Sequence, residues 1–282
     1  MRANLHVHTT ISDGHYRPKE VVDLAKKHNV DAIAVTDHDA VEGIKAAFVH
    51  GQKVGVQVIP GIEISCEIRD NEIHILGYGI DNSNEHLRAL IEGQRTRRFQ
   101  YIEEQVKKVN EAFNLDLTQE EVCGDSLTPT KAHIASAMVK KGVAKDIRDA
   151  IENHMLKGGV CYVDRRDEGL YPIAAIDAIH RAGGVAVWAH PLYPLRTKSI
   201  HPIDLLYELR RRGLDGIEFY FDYEEIADKI PGSFRMAFET IARERKMLLT
   251  GGSDFHGYWL RNSIDQTVVD EEVVNSLSRR RR

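Results

Sequence analysis

The tightest constraint on the fold of this chain is the recurrence of histidine and carboxylate residues in short stretches spread from one end to the other. The first is His6-Val7-His8, where Leu5 and Val7 alternate with the two histidines in the period-2 pattern of a strand with one buried face. Residues two apart on a strand point the same way, so the two imidazoles stand side by side and suit a divalent transition metal. One such pair arises easily by chance. Here Ser12-Asp13-Gly14, Thr36-Asp37-His38, Gly61-Ile62-Glu63, Ala189-His190-Pro191 and Gly252-Ser253-Asp254-Phe255-His256 supply matching groups, and the fold has to gather them.

The elements between these stretches point to an α/β architecture. After the first strand, Pro18 suits the first turn of a helix whose inner face is Val21, Val22, Leu24, Ala25 and His28, with Asn29 as its stop. Ala32–Thr36 reads as a strand buried on both faces, as in a parallel sheet, and Asp39 as the cap of a helix over residues 41–54. Val56–Ser65 and Ile73–Tyr78 are the third and fourth strands, Val185–Ala189, Leu214–Tyr220 and Met247–Gly251 the last three. Helices from Pro172, over Leu205–Arg212 and over residues 232–245 alternate with them. Seven strands alternating with helices imply a parallel sheet with helices outside it, and candidate ligands at the C-terminal strand ends match where α/β barrels hold their chemistry. His74, inside its strand, fits this placement least well.

The alternation breaks over residues 83–170. Leu87, Leu90, Ile91, Phe99, Ile102, Val106, Val109 and Phe113 recur at helical spacing, two shorter helical stretches follow near 130–141 and 145–156, and Val160–Val163 carries a strand signal. The expected organisation is a barrel from residues 1–82 and 171–282, with residues 83–170 as a helical insertion that caps the site.

Composition excludes several classes. With 42% hydrophobic and 29% charged residues the chain is an ordinary globular mix, and its net charge of −5 argues against a broadly basic nucleic-acid clamp. Cys66, Cys123 and Cys161 are distant and odd in number, which points to a reducing cytoplasm rather than a disulfide framework. No leader is visible, no apolar run approaches the roughly 20 residues of a membrane span, and nothing calls for an obligate protein partner.

Nine side chains then remain as candidate metal ligands: His6, His8, Asp13, His38, Glu63, His74, His190, Asp254 and His256. That exceeds the four to six positions of one ion, so the site is multinuclear, with Glu63, at a strand end and carrying two oxygens, as the natural bridge. Paired ions about 3.5–4 Å apart generate hydroxide from water and neutralise charge on a phosphoryl group. Taken singly, a strand-end histidine is more often just hydrogen-bonded, and Asp13 before Gly14 could form only a turn. The repetition of the His6/His8 arrangement in Asp254-Phe255-His256, at the other end of the chain, favours the metal.

These motifs, together with Thr36-Asp37-His38-Asp39 and Gly252–Gly257, resemble in order and spacing those of the PHP (polymerase and histidinol phosphatase) superfamily. The resemblance implies a distorted (β/α)7 barrel and a metal-dependent phosphoesterase with a metal-activated water at a trinuclear site. It assigns His6, His8, Glu63 and Asp254 to one ion, Glu63, His74 and His190 to a second, and Asp13, His38 and His256 to a third. The family carries manganese, iron or zinc, and Asp13, where some relatives have histidine, favours manganese or iron. By the same resemblance His6, His8, Glu63, His190, Asp254 and His256 carry the catalysis, His190 or His256 being candidates for the general acid.

Within the family, Arg95-x-x-Arg98, Lys131-Ala132-His133 and Gly159–Val163 are similar to enzymes that dephosphorylate nucleoside 3',5'-bisphosphates or trim RNA from its 5' end, which implies that Arg95, Arg98, Lys131 and His133 bind substrate phosphate. Arg95 and Arg98 lie three apart on one helix face, though a solvated face reads the same way. Relatives often have arginine where Lys131 stands, and a lysine lacks the bidentate fork. The expected substrate is a nucleotide phosphomonoester (a 3',5'-bisphosphate, AMP or the 5' end of a short RNA). The alternatives are a histidinol-phosphate phosphatase, against which the insertion argues, and a non-catalytic metal-stabilised binding module. Arg279–Arg282 could anchor RNA or form a solvated tail.

Overall fold

β1 (Ala3–Val7) is buried along its whole length, and α1 (Pro18–Lys27) follows it with Pro18 in the first turn and Val21, Val22 and Ala25 turned inward. β2 (Ala32–Val35), α2 (Glu42–Val54), β3 (Gln57–Ile68) and β4 (Asn71–Tyr78) come next. The structure, a computed structural model, describes residues 1–163, 169–193, 195, 197–223, 230, 232–257 and 262–280. After the insertion come α7 (Pro172–Arg181), β5 (Val185–Trp188), α8 (Pro202–Arg211), β6 (Gly216–Tyr220), α9 (Gly232–Glu244), β7 (Leu248–Gly251) and α10 (Glu271–Arg280).

The seven strands form one sheet in the order β1 to β7. Strands β1, β2 and β3 pair in parallel, as do β5, β6 and β7, but β4 is antiparallel to both its neighbours, so the sheet is not parallel throughout. The cause is local. β3 runs straight into a two-residue turn whose residues, Arg69 and Asp70, both have positive φ (50° and 62°), the geometry of a tight hairpin. No helix returns the chain to the far end of the sheet. The start of β4 therefore lies beside the end of β3, and His74 sits opposite Ser65, on the face that carries Glu63. A strand reversal explains why the misfit histidine still reaches the strand-end cluster.

The barrel closes where the chain's two ends meet. Phe255 N donates to His6 O (3.0 Å), and His8 N donates to Phe255 O (2.9 Å). Asn4 Nδ2 donates to Ser253 Oγ (2.7 Å) and Ile264 O (2.8 Å), locking β1 to the segment after β7. Leu5, Ile33, Ile62, Ile64 and Ile75 are fully buried, each contributing about 1.5–3 kcal/mol relative to exposure.

Between β4 and α7 lie α3 (Glu85–Phe113), α4 (Gln119–Cys123), α5 (Lys131–Lys140) and α6 (Ile147–Asp149), the last continuing into a π-helical turn, Ala150–Met155. These helices share a core of their own, built on Ile102, Val106, Val109, Ile134 and Met138. The 29-residue α3 joins two cores, because Leu87 and Ile91 near its start pack into the barrel. Residues 160–163, expected as a strand, are irregular: Cys161 N bonds back to His154 O (2.8 Å), Cys161 and Val163 fill the insertion core, and Val160 is 67% exposed.

One further expectation changes. α10 packs Val274 and Leu277 inward, and Arg280 donates to Asp215 O and Lys246 O, so Arg279 and Arg280 belong to a docked helix and not a free tail. Arg281 and Arg282 lie outside the described residues. Among the described residues, no helix is long and apolar enough to cross a membrane, and all three cysteines are buried and free.

Candidate metal centre

β1 delivers His6 and His8 to one face, and β3 delivers Glu63 opposite them. Glu63 Oε2 is 3.2 Å from Nε2 of both His6 and His8, and Asp254 Oδ1 is 3.2 and 3.0 Å from the same two atoms. The same Oε2 lies 3.1 Å from His38 Nδ1, and the other oxygen, Oε1, meets His74 Nδ1 (3.0 Å) and His190 Nε2 (3.3 Å). A third group forms around Asp13: His256 Nε2 lies 3.2 Å from Oδ1, His38 Nε2 lies 3.8 Å from Oδ2, and the His8 ring stacks on His256. All nine residues named from the sequence are brought together. The geometric groups differ from the expected sets: His8 also joins Asp13, His38 and His256, and His38 takes the place expected of His190 beside Glu63 and His74, so that His190 falls in none of the groups.

The chemistry of these atoms fits cations. His6 Nε2, His8 Nε2, His38 Nδ1, Asp13 Oδ1, Glu63 Oε2 and Asp254 Oδ1 are buried and make no hydrogen bond, although they converge within a few ångströms. Buried polar atoms are rarely left unpaired, because each costs about 1–3 kcal/mol, so converging orphans of this kind are a cradle for an ion. Burial opposes charge throughout the cluster, yet it is outweighed. Asp254 and Glu63 push the His8 pKa up to about 10, and Glu63 and then Glu72 do the same for His74. The imidazoles in turn hold Asp13, Glu63 and Asp254 well below the usual carboxylate range. His38 is the exception: burial keeps it well below its ordinary value despite Glu63 and Asp13.

Backbone strain marks the same place. His190 (φ 31°) and Asp254 (φ 49°) are both left-handed, a conformation that costs about 1–3 kcal/mol outside glycine. Asn262 Nδ2 holds the Asp254 carbonyl (2.9 Å), and His256 Nδ1 donates to it as well (2.8 Å), which leaves His256 Nε2 with its lone pair toward Asp13. Glycine is required at two points: a Cβ on Gly14 would meet His8 O at 2.4 Å, and one on Gly252 would meet His6 Cβ and N at 2.5 Å.

Several supporting residues were not assigned from the sequence. Asp37 accepts from Thr9 N (2.7 Å), Thr9 Oγ1 (2.8 Å) and Ser12 Oγ (2.7 Å), shaping the loop that carries Asp13. Glu218 of β6 is fully buried against His6 and His190. An acid inside the apolar run Gly216-Ile217-Glu218-Phe219 was the available signal. Asp39 does not cap α2, whose first residue follows Val41 without a side-chain cap. It instead accepts Ser65 N (3.1 Å) and the Arg98 guanidinium.

The insertion brings its basic residues to the rim. Arg98, 8% exposed, donates through Nε to Asp39 Oδ2 (2.8 Å) and through Nη2 to Ser65 Oγ (2.6 Å). Arg95 pairs with Glu42, and Lys131 Nζ lies 3.3 Å from Glu72 Oε2. His133 is near enough to Asp13, Arg98 and His256 to feel their charges, and burial lowers its pKa. Its Nδ1 accepts Thr130 N (3.1 Å), so the neutral ring carries its proton on Nε2. The loop before α5 also touches the Asp13 loop, Ser126 Oγ donating to Ser12 O (2.6 Å).

Comparison with known proteins gives this architecture relatives. The PHP domain family model matches residues 4–157. Phosphoribosyl 1,2-cyclic phosphate 1,2-diphosphodiesterase of Eggerthella lenta is 32% identical, over 91% of this chain and 95% of its own length. The 5'-3' exoribonuclease of Haemophilus influenzae is 31% identical over 90% of this chain and 89% of its own. Among solved structures, a metal-dependent phosphoesterase described from Bifidobacterium adolescentis superposes with a TM-score of 0.88 at 27% identity, covering 99% of this chain and 96% of that one.

Proposed function

The chain belongs to the PHP family and is a phosphoesterase, and from this premise we propose that it hydrolyses a nucleotide phosphomonoester with three divalent ions held by the nine-residue cluster. The observation that carries the ion-binding half is the set of buried, unpaired nitrogen and oxygen atoms that converge around Glu63, Asp13 and Asp254. His6, His8, Glu63 and Asp254 would hold one ion, Glu63, His74 and His190 a second, and Asp13, His38 and His256 a third. Manganese or iron fits the mixed imidazole and carboxylate set best, with zinc also compatible. Such ions supply an acidified water and offset charge building on phosphoryl oxygens.

The chain's own contribution is orientation. α5 starts at the rim with Lys131 and His133 in its first turn, and a helix N-terminus favours an anion. His133 Nε2–H is a donor for a phosphate oxygen. Arg95 and Arg98 add positive potential behind it while remaining paired to Glu42 and Asp39. The nucleotide assignment is supported by the exoribonuclease relative and by the insertion, which surrounds the site with more structure than a small phosphoamine requires. A second reading, opening of a cyclic phosphodiester before the monoester is released, is favoured by the Eggerthella lenta relative.

The test is phosphate release by manganese-loaded protein, wild type beside Asp254→Ala. The substrates are adenosine 3',5'-bisphosphate, AMP, a 5'-phosphorylated oligoribonucleotide, ribose 1,2-cyclic phosphate 5-phosphate and histidinol phosphate. Turnover of a nucleotide that the substitution abolishes is the expected result. Preference for histidinol phosphate would overturn the substrate assignment, and no turnover with manganese, iron or zinc would replace it with a binding module.

A further inference from the structure

Four acidic side chains surround the histidines, and one of them behaves differently. Glu63 Oε2, Asp254 Oδ1 and Asp13 Oδ1 have no hydrogen-bond donor. Both oxygens of Glu218 have one: Oε1 lies 3.0 Å from His6 Nδ1, and Oε2 accepts the backbone N–H of His190 at 2.8 Å. The residue is 0% exposed and projects from β6, the strand next to β5, at whose end His190 sits. A carboxylate with both oxygens engaged by N–H groups is an anchor rather than a ligand.

We propose that Glu218 is a positioning residue that fixes two of the ion sites at once. Through Oε1 it holds the His6 proton on Nδ1, so the Nε2 lone pair faces Glu63 and Asp254. A histidine ligand whose other nitrogen donates to a carboxylate has its tautomer and ring plane set. Through Oε2 it secures the left-handed backbone of His190, whose ring meets Glu63 and His74. The third group, Asp13, His38 and His256, has no contact with Glu218 among the described hydrogen bonds. His8 shows the contrast, since its Nδ1 has only Ser12 Oγ at 3.4 Å and Asp13 Oδ1 at 3.6 Å.

This inference rests on the metal half of the proposed function and not on the substrate, so it is tested by metal binding. Manganese titration of the metal-free protein by calorimetry, with metal analysis after dialysis, is compared for wild type, Glu218→Ala and Glu218→Gln. Glutamine has one acceptor oxygen and can serve His6 or the His190 amide, not both; it is the variant to rely on if alanine does not fold. The expected result is a loss of about 10–100-fold in affinity confined to the ions that use His6 and His190, with the Asp13 group unchanged. Unchanged affinity in the glutamine variant, or equal weakening of every ion as from a general loss of structure, overturns the proposal. An inactive protein that still shows the selective pattern would count against the nucleotide assignment alone.

Discussion

The floor and the wall of the site are built from opposite charges and are satisfied in opposite ways. On the floor, six of the atoms that face one another, on His6, His8, Asp13, His38, Glu63 and Asp254, lack hydrogen bonds, while His190 is bonded to Glu63 Oε1 and His74. On the wall, the cations of the insertion are matched to barrel carboxylates: Arg98 to Asp39, Arg95 to Glu42 and Lys131 to Glu72. A floor of unpaired atoms is preorganised to receive something positive. A wall of paired cations joins the insertion to the barrel, and a phosphate binding there, as proposed above, would share those cations with carboxylates already present. Affinity for metal and affinity for substrate should therefore respond to different residues.

The contrast breaks most strongly at Glu63. Glu63→Gln removes the charge that meets five imidazoles, and turnover should fall on the order of 10³-fold together with the bound metal, as read by phosphate release and metal analysis. On the wall, Arg98→Met leaves Asp39 buried and unpaired and should lower the unfolding free energy by about 3–5 kcal/mol in urea. Adding Asp39→Asn to that variant should recover part of the loss; no recovery would mean that packing, not the charge pair, matters there. Saturating the floor with manganese at about 100 times its Kd should stabilise the fold by about 2.7 kcal/mol, seen as a rise in Tm that a chelator reverses. Arg95→Ala should cost less than about 1 kcal/mol, because its pair with Glu42 is only partly buried.

What could be read from the sequence follows from how local each signal is. His6 and His8 declare themselves because alternation with Leu5 and Val7 fixes both strand and face, and Glu63, His190 and Asp254 stand beside apolar runs. The reversal of β4 was hidden because its turn is Arg69-Asp70, without the asparagine–glycine signature that usually marks a hairpin. Asp39 looked like a helix cap because its partner Arg98 is 59 residues away. Glu218 lies 212 residues from His6, and no local pattern connects a lone acid in β6 with an imidazole in β1. Pairings across such distances exist only once the barrel has closed.

The 29-residue α3 would measure about 44 Å end to end, with Leu87 and Ile91 set in one core and Ile102, Val106 and Val109 in the other. A continuous rod clamped at both ends has no hinge. The insertion cannot swing clear of the site without uncoiling that rod or pulling two aliphatic side chains out of the barrel. On heating, the same rod should transmit the loss of either core to the other, and a single transition in scanning calorimetry is the expected outcome.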